Sequence, residues 1–149
     1  MYDRILLPTD GSEGVDRATT HAIDAANRYD AELHVLFVVD ESVINAYPGD
    51  EFVHEFEGIE QTLEDVGEEA VDRVREAAAD AGLQNVVTSV THGEPHEEIL
   101  RYIDEEDIDL TVMGTTDRPG EYRRLLGSVT ERVARRSSTP VSIVKTTVE

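Results

Sequence analysis

Two hydrophobic periodicities take turns along this chain, and that alternation restricts its fold more than any other feature. Five short runs rich in branched apolar residues read as strands buried on both faces: RILLP (4–8), ELHVLFVV (32–39), NVVTSV (85–90), DLTVMG (109–114) and PVSIVK (140–145). The segments between them carry apolar residues at helical spacing. The first stripe is Ala18, Ala22, Ile23, Ala25 and Ala26, and the second is Val66, Ala70, Val71, Val74, Ala77 and Ala78. Ile99, Leu100 and Ile103 form the third, and Val129, Val133 and Ala134 the fourth. Strands that alternate with helices predict an α/β fold, a single doubly wound, Rossmann-like domain over residues 1–149. Its five-stranded parallel sheet would have right-handed crossovers and helices on both faces.

The punctuation agrees. Ser12, after PTDG, is placed to cap the first helix, and Gly82 to end the second. Gly93-Glu94-Pro95 opens the third, where proline is tolerated in the first turn. Gly127-Ser128 opens the fourth. Residues 40–52, DESVINAYPGDEF, have no clear period and contain Pro-Gly, which predicts an excursion over the sheet edge.

In an open α/β sheet, ligands bind beyond the carboxyl ends of the strands, where the strand order reverses. The first strand delivers Pro8, Thr9, Asp10 and Gly11 to that edge, and the second delivers Val38, Val39 and Asp40. The fourth delivers MGTTDRPGEYRRLLGS (113–128), with Gly114, Gly120 and Gly127 and three arginines. Glycine lets backbone amides approach an anion closely, and a helix that opens at Gly127-Ser128 would add its free amides and dipole. Backbone, dipole and charge converge on phosphate. Structural readings stand beside this one: Ser128-Val129-Thr130-Glu131 fits a capping box, and Gly114 fits a plain strand-end turn.

Charge narrows the partners. Asp and Glu number 33 against 13 Lys and Arg, a formal net charge of -20, and Lys145 is the one lysine. Such a surface repels nucleic-acid backbones and anionic membranes. It suits a halophilic, very salty cytoplasm, where screening shortens to about 3 Å at 1 M salt. No apolar run reaches membrane-span length, and the strand-like RILLP stands close to the start, so a cytoplasmic location is expected. The chain has no cysteine. His92 and His96 come nearest to metal-ligand spacing, but one closes a strand and the other opens a helix, so no metal site is expected.

In content and order, the motifs RILLPTDGSE (4–13), LHVLFVVDE (33–41), HGEPHEEIL (92–100), DLTVMGT (109–115) and LLGSVTERVARRSSTPVSIVK (125–145) resemble the universal stress protein family nearly end to end. The resemblance implies a cytoplasmic stress-response protein that forms a homodimer by pairing last strands, here from Pro140 to Lys145. Its ATP-binding branch carries glycine, two residues, glycine, nine residues, then Gly-Ser or Gly-Thr. Gly114 with Thr115 and Thr116 matches the start, and residues 118–126 followed by Gly127-Ser128 match the end. Asp117 stands where the second glycine belongs. By resemblance, Gly114, Thr115, Asp117, Gly127, Ser128 and Val129 would surround the phosphates and ribose of ATP, with Mg²⁺ as a possible bridge. Pro8, Thr9, Asp10 and the backbone of Val38 would face adenine and ribose.

No Gly-Lys-Ser or Gly-Lys-Thr phosphate-loop motif occurs, and Ser12 lies in no nucleophile elbow. The expected role is therefore a nucleotide-binding sensor or regulator with no assigned catalytic residue. A nucleotide-free dimeric stress protein and a weak ATPase remain open as alternatives.

Overall fold

The computed structural model describes residues 1–11, 16–41, 53–115 and 122–145. The strands are β1 (Arg4–Pro8), β2 (Glu32–Asp40), β3 (Val86–Gly93), β4 (Leu110–Thr115) and β5 (Val141–Lys145). The helices are α1 (Asp16–Tyr29), α2 (Val53–Asp80), α3 (Pro95–Glu105) and α4 (Tyr122–Arg136). All four strand pairings are parallel, in the order β3-β2-β1-β4-β5. This is the doubly wound α/β sheet that the alternation predicts. The chain first builds outward from β1 through β2 to β3, then returns to lay β4 against the other side of β1. The order thus reverses between β1 and β4, which opens a crevice at their carboxyl ends.

Side-chain alternation divides the core into two layers. Ile5, Leu7, Leu33, Val35, Phe37, Leu110 and Val112 point to one face, where Ala18, Ala22 and Ala26 of α1 and Ala70, Val71 and Val74 of α2 cover them. Leu6, Leu36 and Met113 point to the other, under Ile99 and Ile103 of α3 and Val133 of α4. Small alanines on α1 and α2 let the helices lie close to a sheet of bulky branched residues. Gly67 brings α2 closest, for a Cβ built there would stand 2.7 Å from the Phe37 ring.

β3 continues to Gly93, three residues beyond the run that marks it in the sequence. Thr91, His92 and Gly93 pair with Val38, Val39 and Asp40, and that ladder carries the polar end of the strand. α2 starts at Val53, well before the stripe that begins at Val66. The predicted Ser12 cap and nearly all of the 40–52 excursion fall outside the described residues. Among the described residues, no helix is long and apolar enough to cross a membrane.

A polar relay ties α3 to the far end of the sheet. His34 is 3% exposed. Its Nδ1 lies 2.6 Å from the Tyr102 hydroxyl and its Nε2 2.6 Å from Glu32 Oε1. A carboxylate can only accept, so Nε2–H donates to Glu32, and the Tyr102 hydroxyl shares a hydrogen bond with Nδ1. Burial, then the charges of Glu106 and Glu32, push the Tyr102 phenol up to about 12. Below about pH 10 the phenol keeps its proton folded or unfolded; above it, only the unfolded chain releases the proton readily, so stability falls as pH rises. Urea unfolding between about pH 9 and pH 12 should show this loss, about 1 kcal/mol after allowance for the partly exposed side chain. Tyr102→Phe should lower stability at neutral pH, through the lost hydrogen bond, yet flatten the alkaline decline. An unchanged slope in the variant would remove Tyr102 as its source.

Candidate functional site

The crevice between β1 and β4 is a real cavity of about 240 Å³. Its floor is the carboxyl ends of three strands: Pro8, Thr9 and Asp10 after β1, Val38 and Asp40 on β2, and Met113 and Gly114 on β4. Pro95 and Ile99 of α3 wall one side, and Val129 and Thr130 of α4 the other. Val38, Ile99, Met113 and Val129 make an apolar slot, while Thr9, Asp10 and Asp40 put hydroxyl and carboxylate groups on its rim. Such a slot with a few polar groups at one edge suits a flat, mostly apolar ring that carries hydroxyl substituents.

The first loop of the site is held in place by named bonds. Thr9 N–H donates to the Leu36 carbonyl at 2.9 Å, which extends the β1–β2 ladder past the strand. Gly11 N–H donates to Thr9 Oγ1 at 3.2 Å, and Arg73 of α2 reaches the Gly11 carbonyl at 3.3 Å. Gly11 adopts φ +79°, with its would-be Cβ 3.4 Å from Ala70, so this turn favours glycine. Together these contacts aim Thr9 and Asp10 at the crevice.

Six residues nominated from the sequence therefore come together around one cavity: Pro8, Thr9, Asp10, Val38, Gly114 and Val129. Thr115 ends β4 next to Gly114 but does not line the cavity. Ser128 adjoins Val129 on α4 and is half-buried. Asp117 lies outside the described residues. The sequence reading brought Asp40 and Met113 to this edge without naming them as contacts, and it missed Leu36, Phe37, Pro95, Ile99 and Thr130 as lining residues. A signal for two of them was present: Pro95 and Ile99 are four apart, which puts them on one face of a helix.

One expectation needs correction. Gly127-Ser128 does not open the last helix, because α4 begins at Tyr122 and both residues lie inside it. Arginine and leucine are strong helix formers, and the run Tyr-Arg-Arg-Leu-Leu at 122–126 carries the helix upstream. The N–H groups of 126–129 then bond to carbonyls one turn earlier, which makes a Ser128 cap unnecessary.

The two histidines with the nearest metal spacing are engaged otherwise. His92 Nε2 pairs with Glu64 Oε1 at 2.6 Å, and His96 Nδ1 with Glu94 Oε1 at 3.0 Å. Among the described residues, no group of three or more His, Asp or Glu is placed to hold a metal ion.

Comparison with known proteins supports the same lineage. The chain is 38% identical over 145 residues to universal stress protein MJ0531 of Methanocaldococcus jannaschii, a match that covers 97% of this chain and 83% of that one. The solved structure of MJ0577 from the same organism superposes with a TM-score of 0.82 at 30% identity, and covers 100% of this chain and 99% of that one. A universal stress protein solved in complex with cAMP superposes with a TM-score of 0.74 at 25% identity, over 98% of this chain and 99% of its own. The model of the universal stress protein family matches residues 1–145. With that match on the sheet order and crevice described above, the chain belongs to the universal stress protein family.

Proposed function

We infer that this protein binds an adenine nucleotide, ATP in the first place, in the crevice between β1 and β4, and acts as a sensor or regulator in a cytoplasmic stress response. The supporting observation is the cavity itself. Three strand ends and two helices gather six residues nominated from sequence around an apolar slot with a polar rim. The relative solved with cAMP shows that an adenine nucleotide is accepted by a protein of this fold and family.

The residues fit that ligand. Val38, Ile99 and Met113 offer flat apolar contact to a purine, and Asp10 and Thr9 can hydrogen-bond ribose hydroxyls. Gly114 lines the cavity at the end of β4, and the motif resemblance assigns Gly127 and Ser128 to the phosphate end of the ligand. With no cluster of metal ligands among the described residues, any Mg²⁺ would arrive with the phosphates. The phosphate-loop lysine of efficient phosphoryl-transfer enzymes is missing, since Lys145, the one lysine, lies in β5. Binding rather than turnover is thus the proposed activity. The exposed edge strand β5, with Ile143 49% exposed, supports the homodimer through Pro140 to Lys145. The charge of -20 supports the absence of nucleic-acid partners.

A nucleotide-free role in dimer contacts is favoured by two observations: Asp117 in place of a motif glycine, and the early start of α4. Mass spectrometry of gently purified protein, with ATP titration of the parent and of Gly127→Val in concentrated KCl, separates the two readings. The expected result is a retained adenine nucleotide and a binding isotherm for the parent, lost in Gly127→Val. No retained nucleotide and negligible heat from both proteins would leave the nucleotide-free role standing.

A further inference from the structure

β3 is an edge strand without Asp, Glu, Lys or Arg, in a protein whose net charge is -20. None of its eight residues, VVTSVTHG, is fully buried, and Val87 is 39% exposed. Among the described residues, no strand pairs with its outer side. Leu33 N–H donates to the Asn85 carbonyl at 2.9 Å, which fixes the phase of the β2–β3 ladder. Successive residues of a parallel strand turn their amides and carbonyls to opposite sides. Val87, Ser89 and Thr91 therefore face β2, while Thr88 and Val90 face outward. Lysine, proline or a bulge commonly guards such an edge, and β3 has none of them.

The charge lies beside the strand instead. On α2, Glu64 reaches His92 at 2.6 Å and Arg75 reaches Thr88 at 2.6 Å, so that flank of the helix borders the β3 edge. Glu68 and Asp72 follow Glu64 at four-residue steps along the flank, and both are exposed. At the carboxyl end of the strand, Gly93 borders an open cavity of about 460 Å³ whose carboxylates are Glu41, Glu94, Glu97 and Glu98. Arg101 pairs there with Glu98 at 2.9 Å. Carboxylates outnumber arginines on both sides of the strand, and none of these residues lines the crevice between β1 and β4.

We propose that the β3 edge is a docking site for an extended, basic peptide segment of a partner protein. The peptide backbone pairs with Thr88 and Val90 and adds a strand to the sheet. Its basic side chains meet Glu64 and Glu68 on the α2 side, and one at the end of the strand enters the acidic cavity. Branched apolar side chains between them pack on Val87. Charge decides the occupant. A second copy paired edge to edge about a two-fold axis would set the Glu64–Glu68 flank against itself, and like charges across paired strands repel. A basic strand gains the ladder and the ion pairs together.

The probe is a fluorescein-tagged peptide of alternating arginine and valine. About six residues suffice to run from Thr88 to Gly93 at about 3.3 Å per residue. Fluorescence anisotropy in moderate KCl reads its affinity, and backbone NMR of the full chain reads its place. Binding should move the amide signals of Thr88 and Val90 and leave those of Val141 to Lys145 where they were. The same peptide N-methylated at every residue keeps its charge but loses its donors, and should bind about tenfold more weakly. Glu68→Lys combined with Glu97→Lys, both at exposed positions, should also cost about tenfold. Equal affinity of the N-methylated peptide, of a glutamate–valine counterpart or of the double variant would overturn the proposal. So would shifts confined to β5, or no binding of the arginine–valine peptide. Shifts at Thr88 and Val90 that grow with protein concentration alone would assign the edge to a second copy, and overturn it as well.

Discussion

Asp117→Gly is expected to tighten ATP binding by one to three decades. On the proposed nucleotide reading, residue 117 stands at the motif position of a glycine beside the phosphates, and here it is an aspartate. A unit charge about 4 Å from a phosphate oxygen costs roughly 1 kcal/mol in bulk water and about 4 at the effective dielectric of a protein surface. At about 1.4 kcal/mol per decade, removal of that repulsion gives the stated range. The backbone effect is smaller, because aspartate enters left-handed conformations more readily than most residues. Isothermal titration of parent and variant, at low salt and again in concentrated KCl, reads the result. The gain should shrink as salt rises, because screening removes the repulsion the mutation relieves. An unchanged dissociation constant at low salt would mean that Asp117 stands away from the phosphates, and the motif alignment would lose its meaning.

Gly67→Ala is expected to destabilise the fold by up to about 2 kcal/mol, although alanine is the better helix former. Alanine gains about 1 kcal/mol over glycine inside a helix. At this position, however, the added Cβ would lie 2.7 Å from Phe37 Cδ1 and 3.2 Å from Cγ and Cε1. The Phe37 ring is 7% exposed and packed within the α1–α2 layer, so it cannot swing aside as a flexible chain would. Overpacking of a well-filled core costs about 1–3 kcal/mol, which outweighs the propensity gain. Gly58 of the same helix is the control: nothing stands within 4 Å of its would-be Cβ, and Gly58→Ala should stabilise by up to about 1 kcal/mol. Urea midpoints that rise for both substitutions would show that α2 can shift off the sheet at low cost. Because Phe37 lies between Leu36 and Val38, which line the cavity, Gly67→Ala should also weaken ATP binding modestly.

Much of the site was legible because its parts lie at strand ends. A parallel sheet sends every carboxyl end to the same edge, so Thr9, Asp10, Val38 and Gly114 had to meet once the strands were recognised. The sequence did not reveal Ile99 and Met113 as walls, since an apolar residue on a core face looks the same whether it touches a side chain or a cavity. Asp40 follows the β2 run directly, so the same strand-end logic brings it to this edge, and its pairing with Gly93 holds it at the rim. The start of α4 was misread because a capping box at Ser128 and strong helix formers upstream give opposite local signals.

What the sequence alone determined was the class of fold and the sheet edge that carries the cavity, because hydrophobic period and strand direction are local properties that add up along the chain. The tertiary structure alone decided the reversal between β1 and β4 that opens the cavity and the Phe37 ring that makes Gly67 necessary. Each of these depends on contacts or competing hydrogen bonds between segments far apart in the chain, and no residue's own preference encodes them.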